Sequence, residues 1–196
     1  MHFVLATFNR DKLRELSALL GLPGITLTAL CDEPGATAPE ETGVTLRENA
    51  LIKARAALRL TGLPVIADDT GLEVDCLKGA PGVYSSRFAG EDASYDENVD
   101  KLLREMRNVP YEKRSARFRC VVALKDGGRE QWVDGTCEGV ILDSRRGNGG
   151  FGYDPVFFVS ETGKTLAEMT LEEKNEISHR GMALRKMAEV LKKSPI

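Results

Sequence analysis

The amino-acid sequence predicts an α/β fold whose sheet is not purely parallel, and three observations carry that reading. Apolar strand-like runs alternate with amphipathic helical stretches, capping boxes mark helix starts, and one long hairpin over 116–142 requires antiparallel pairing. In order, the first apolar run, His2 to Ala6, reads as a strand, and Arg10 to Leu20 as a helix stopping at Gly21. Ile25 to Ala29 reads as a second strand, followed by an acidic, Pro/Gly-rich loop from Asp32 to Gly43.

The clearest helix opens at Thr45-x-x-Glu48 and ends at Gly62 with Pro64 beyond it. Leu46, Ala50, Ala54, Ala57 and Thr61 share one face, widened by Leu51 and Leu58. Asn49 and Lys53 lie at the margin of that stripe, where a polar side chain can reach along the packed surface into a neighbouring cleft. A short buried strand, Pro64 to Ala67, then leads to Asp68-Asp69-Thr70-Gly71, and a further strand covers Leu72 to Leu77. Beyond the loop from Lys78 to Asp92, Ser94-x-x-Glu97 caps a helix to about Arg107. The hairpin pairs Ala116–Lys125 with Arg129–Leu142 about Asp126-Gly127-Gly128. A glycine-rich loop and the apolar run Val156 to Val159 precede a helix from Thr170, capped by Glu173, broken near Ser178 and resumed to Lys192.

Composition sets the bounds. With 196 residues, 42% hydrophobic and 29% charged, the chain can bury one substantial core, or one core with a subsidiary lobe. A net charge of −3 argues against a broad nucleic-acid or anionic-membrane surface. The first ten residues lack the pattern of a signal peptide, and no run approaches the length of a membrane helix, so a cytoplasmic protein is expected. Cys31, Cys76, Cys120 and Cys137 are widely spaced and read as free thiols, and neither His2 nor His179 stands at zinc-site spacing from them.

Four stretches carry residues suited to chemistry. Thr7-x-Asn9-x-x-Lys12 sits where a strand turns into a helix, and free backbone N–H groups there favour an anion. The same residues also suit a plain helix cap with a solvated lysine, and the usual glycine-rich phosphate signature is absent. Asp68 and Asp69 are adjacent carboxylates whose repulsion a divalent cation relieves, although Asp-Thr-Gly is equally good turn chemistry. Glu40-Glu41 offers a second acidic pair for such a site, or a solvated loop. In 147–155, dense glycines let a ligand approach the backbone and Phe151 offers a stacking face. Finally, His179 and Arg180 are donors suited to a purine O6 or a phosphate, with Lys174 upstream; a helix cap and a solvated lysine are the simpler reading.

Read together, six ordered segments resemble the inosine/xanthosine triphosphate pyrophosphatases: ATFNRDK, PEETGVTLRENALIKA, IADDTGLEVD, GAPGVYSSRFAG, GGFGYDPVF and EKNEISHRG. The resemblance spans Val4 to about Leu191, and its one noted departure is Thr70 where Ser is common. It implies a single domain, 1–196, with a long central mixed sheet, flanking helices and two lobes around a substrate cleft, as a homodimer. It further implies Mg2+ and the reaction NTP + water → NMP + pyrophosphate on noncanonical purine nucleotides. Residue by residue, Thr7, Phe8, Asn9, Arg10, Asp11 and Lys12 resemble the triphosphate clamp, supported by Lys53 and Lys174, and Thr70 is a further substrate-binding residue. Asp69 resembles the catalytic carboxylate and a metal ligand, with Glu41 and Asp68 assisting; Phe151, Gly152, Tyr153, Asp154, His179 and Arg180 resemble the base pocket.

Two rivals remain at the level of sequence. A pyrophosphatase of the same fold preferring modified pyrimidine or methylated nucleotides sits badly with the His179-Arg180 pair and the GGFGYD loop. A nucleotide sensor or RNA-binding module with a vestigial site sits badly with the intact carboxylates and the acidic charge. The loop from Gly79 to Asp92, with Arg87, suits either substrate or subunit contact.

Overall fold

A computed structural model describes residues 1–20 and 23–193. The helix end expected at Gly21 lies outside the described residues. Among those residues, eight strands form one mixed sheet in the order β2-β1-β3-β5-β6-β7-β8, with β4 paired to β3. The strands are β1 His2–Leu5, β2 Thr26–Ala29, β3 Val65–Val74, β4 Pro81–Gly82, β5 Ser115–Lys125, β6 Glu130–Ile141, β7 Phe157–Val159 and β8 Lys164–Thr165. The α-helices are α1 Arg10–Leu20, α2 Leu46–Thr61, α3 Tyr95–Glu105, α4 Leu171–Ile177 and α5 His179–Lys193.

The chain divides into two compact units. Among the described residues, the first comprises 1–20, 23–69, 120–135 and 179–193, and the second 70–119 and 136–178. In the first unit, β1 pairs in parallel with β2 and with β3, Leu5 standing opposite Ile66. The chain leaves β1 through α1 to β2 on one side, then crosses through α2 to β3 on the other. β1 is therefore a topological switch point, where ligands of open α/β sheets bind beyond the carboxyl ends of the strands. Phe3, Leu5, Leu16, Leu20, Ile66, Val122 and Leu184 are among the residues of this unit's core.

The second unit has its own core, including Leu72, Val99, Leu102, Phe118, Ile141 and Phe157. The Thr45–Glu48, Ser94–Glu97 and Thr170–Glu173 capping boxes all form, and Gly62 closes α2 in the left-handed conformation. The break expected near Ser178 separates α4 from α5.

One expectation is corrected. Pro64–Ala67 and Leu72–Leu77 were expected to be separate strands around an Asp-Thr-Gly segment that could turn; instead one ten-residue strand, β3, runs through it. The carboxylates that would favour a turn are neutralised by cations of α1, α2 and α5, so they stay buried within the strand. No helix among the described residues is long and apolar enough to cross a membrane.

Candidate active site

The switch point in the first unit collects most of the charge that the sequence singled out. Successive strand residues face opposite sides of a sheet, and the partners of Asp68 and Asp69 differ accordingly. Asp68, 1% exposed, lies 3.0 Å from Lys12 Nζ and accepts from Arg180 Nε at 3.3 Å. Arg180 also donates through Nη1 to Glu15, a buried carboxylate of α1. Asp69 instead accepts from Lys53 Nζ at 2.7 Å, and the same ammonium reaches Glu41 Oε1 at 3.1 Å.

Adjacency in sequence therefore does not bring Asp68 and Asp69 onto one cation. Among the described residues no three His, Cys, Asp or Glu side chains gather as a metal cage. Of the expected trio Glu41, Asp68 and Asp69, the structure joins Glu41 and Asp69 through Lys53, while Asp68 contacts Lys12 and Arg180. That pair fits Mg2+, which takes one or two carboxylates and keeps the remaining positions for water and phosphate. Asp69 Oδ2 is buried with no hydrogen-bond partner among the described residues, an acceptor-only oxygen suited to a hard cation.

Electrostatics separate the neighbours further. Burial acts to raise the Asp68 pKa, but Lys12, Arg180 and Lys53 outweigh it and hold the carboxyl well below its usual range. At Asp69 burial prevails over Lys53 and Lys12, Glu41 adds like-charge repulsion, and the carboxyl is pushed up. Burial pulls Lys53 down, yet Asp69, Glu41 and Asp68 together hold its proton more firmly than usual. The Lys53–Asp69 pair is thus unequal. The lysine is surrounded by several anions, whereas Asp69 feels burial and a competing carboxylate.

Of the amino-terminal stretch, Thr7 is buried and its hydroxyl accepts from the Asn9 amide at 3.2 Å. Asn9 Oδ1 accepts from the amides of Asp11 and Lys12 at 2.9 and 3.1 Å, so it caps α1. Phe8 is 38% exposed, Arg10 pairs with Asp32 at the surface, and Asp11 lies 3.9 Å from Arg14. Lys12 of this group points into the carboxylate cluster. Arg180, expected to offer donors to a purine base, lies against Asp68 and Glu15, two buried carboxylates that need a cation between them. His179 is buried at the first turn of α5.

The glycine-rich loop forms a separate cluster in the second unit. Asp154 accepts from the Phe151 amide at 2.8 Å and from Lys174 Nζ at 2.5 Å. Lys174 Nζ also lies 4.8 Å from the centroid of the Phe151 ring, which packs against Tyr95 at 5.8 Å. Gly150 has φ +68°, and a Cβ there would come within 2.1 Å of Asp154 Oδ2. Gly152 also has positive φ. Tyr153 belongs to the core and donates its hydroxyl to Ser85 O at 2.9 Å, so it serves the loop's anchorage. Thr70, partly buried, follows Asp69 in β3. Lys174, expected to support the triphosphate clamp, contacts Asp154 and Phe151 within the second unit.

A family model described as the Ham1 family matches residues 3–190. The chain belongs to the Ham1 family. It is 57% identical over 183 residues to a dITP/XTP pyrophosphatase of Geobacter sulfurreducens, covering 92% of each chain. The solved HAM1 protein of Coxiella burnetii superposes with a TM-score of 0.90 at 42% identity, covering 99% of this chain and 100% of that one. A nucleoside-triphosphatase / dITP/XTP pyrophosphatase of Mycobacterium abscessus superposes at 0.75 with 41% identity, covering 95% and 97%. These likenesses extend the Ham1 fold over nearly the full chain.

Two contributors had no part in the sequence reading, and a third was placed differently. Glu15 shares the inward face of α1 with Leu16 and Leu20, a carboxylate on an apolar face that signals a buried cation. Gly135 lets the first turn of α5 press on β6, since a Cβ there would lie 2.1 Å from His179 O. Asn49 does not sit at a margin but is fully buried.

Proposed function

We propose that this Ham1 protein is a Mg2+-dependent pyrophosphatase that converts the noncanonical purine nucleotides ITP, dITP and XTP to the monophosphate and pyrophosphate. The observation that carries the reading is the Lys53 bridge between Asp69 and Glu41, which leaves a buried Asp69 oxygen without a partner. Asp69 and Glu41 would hold Mg2+, which when bound offsets charge on the phosphate oxygens. Asp69, its carboxyl made more basic by burial, takes the proton from the water that attacks the α-phosphorus. Lys12 and Lys53 are cations positioned for the charge that grows on the leaving pyrophosphate.

Phe151, with its ring centroid 5.8 Å from that of Tyr95 and 4.8 Å from Lys174 Nζ, is the surface for the base, and the preference is for a purine carrying an O6 acceptor. Adenine presents a 6-amino donor at that position and would leave polar groups unpaired, which disfavours it strongly. The working form is a cytoplasmic homodimer, checked by sedimentation.

The test is pyrophosphate release from ITP, XTP, GTP, ATP and modified pyrimidine triphosphates, with and without Mg2+. A preference for ITP and XTP that vanishes with chelator is expected. A clear preference for any of the others overturns the substrate reading. Asp69→Asn is expected to lower kcat by ~10²–10⁴ while the fold persists, and full activity in that variant removes Asp69 from catalysis.

A further inference from the structure

We propose that Asn49 is a positioning residue for Glu41, because its side chain fastens the acidic loop to the same helix that carries Lys53. Asn49 is 0% exposed, and its Oδ1 accepts from the Gly43 amide at 2.8 Å. The next two amides, Val44 and Thr45, both donate to Glu48 Oε2, at 2.8 and 3.1 Å. Three consecutive N–H groups of the loop are therefore held by two neighbouring side chains of α2.

The Thr45–Glu48 capping box accounts for the helix entry alone. The Asn49 bond carries the fastening further back, to within two residues of Glu41. Asn49 and Lys53 are one turn apart on α2 and share a face. The helix thus places the ammonium and, through Gly43, the second carboxylate that the ammonium contacts. Gly43 is part of the device: a Cβ there would lie 2.6 Å from Asn49 Oδ1 and 2.7 Å from Glu48 Cβ.

The amide orientation follows from the contact. Gly43 N–H can only donate, so the carbonyl end of Asn49 must face it. This leaves Nδ2 buried with no acceptor among the described residues. An unpartnered buried donor disfavours the folded state, and a residue chosen only for packing would not carry one. Leucine has a similar shape without that donor and without the Gly43 bond, so Asn49→Leu separates packing from positioning.

This inference rests on the proposed roles of Glu41 and Asp69, and the experiment keeps the two apart. Mn2+ binding, as a probe for Mg2+, is measured on the substrate-free full chain by electron paramagnetic resonance, alongside hydrogen exchange at the Gly43 amide and the melting temperature. Asn49→Leu and Asn49→Ala are compared with wild type and with Leu102→Ala, a destabilising change in the core of the second unit. The expected result is lost Gly43 protection and ~10–100-fold weaker Mn2+ binding in both Asn49 variants, with Asn49→Leu melting near wild type and Leu102→Ala binding Mn2+ normally. Unchanged Mn2+ affinity in Asn49→Leu, or weakening in proportion to melting temperature across all three variants, overturns the inference. Failure of wild type itself to bind Mn2+ instead overturns the metal reading on which it rests.

Discussion

Asp68 and Asp69 show how much a single covalent step along a strand can change a residue's task. One carboxylate is enclosed by Lys12 and Arg180 and held ionised; at its neighbour, burial and a competing glutamate outweigh Lys53 and the more distant Lys12. The sequence announced the acidic pair and the lysines, but not which faced which. That assignment depends on strand continuity through Asp-Thr-Gly, and local turn propensity argued the other way. Arg180 offers a test at this scale. Its guanidinium is 2% exposed between Asp68 and Glu15, so Arg180→Met leaves buried carboxylates short of a cation. Such a change costs ~3–5 kcal/mol, which at this chain length lowers the melting temperature by roughly 10 °C. The double variant Arg180→Met/Glu15→Leu is expected to regain about half of that loss, because removing both members of a buried pair costs less than removing one. Calorimetry on both proteins decides it; no recovery in the double variant would mean that Arg180 is not chiefly the counter-ion of Glu15.

Among elements, the capped helices were the most legible, since a capping box is a local pattern with a local cause. The glycine-rich loop was legible as a special segment but not in its working. Its glycines and Asp154 were visible, yet the ring beneath Lys174 and the carboxylate closing the loop arise from contacts twenty residues apart. Gly150 and Gly152 both have positive φ, but their surroundings differ. Alanine at Gly152 meets nothing within 4 Å, so only the backbone strain applies, about 1–2 kcal/mol. Alanine at Gly150 carries the same strain and also strikes Asp154 Oδ2. Gly150→Ala is therefore expected to lose more stability than Gly152→Ala and to weaken the Asp154–Lys174 pair. Denaturant unfolding of the two variants measures the order; equal losses would show that the loop yields around Asp154 without cost.

At the scale of the whole molecule, two lobes were expected, but where one ends and the other begins was invisible in the linear sequence for a physical reason. Three of their four boundaries fall inside strands, between Asp69 and Thr70 in β3, Arg119 and Cys120 in β5, and Gly135 and Thr136 in β6; the fourth lies between Ser178 and His179, where α4 gives way to α5. A boundary within a strand has no linker, hence no Pro, Gly or Ser signature to read. Stability of the first unit has its own titration signature. Asp68 is held below its usual pKa, so between that depressed value and the unfolded value near 3.8 the unfolded chain binds the extra proton. Its stabilising contribution is complete above the unfolded pKa and drains away as pH falls below about 4. Asp69 is shifted the other way, so its contribution runs with the opposite slope, favouring the folded state at the acid end. Removing each charge should therefore act oppositely on acid unfolding in chelator. Asp68→Asn, although less stable at neutral pH, is expected to flatten the fall in stability below pH 4, whereas Asp69→Asn leaves that limb as steep as wild type or steeper. Urea midpoints collected from pH 2.5 to 7 resolve the slopes. An Asp68→Asn protein that keeps the full acid limb would show that other carboxylates, not the Lys12–Asp68–Arg180 cluster, set the acid stability of the fold.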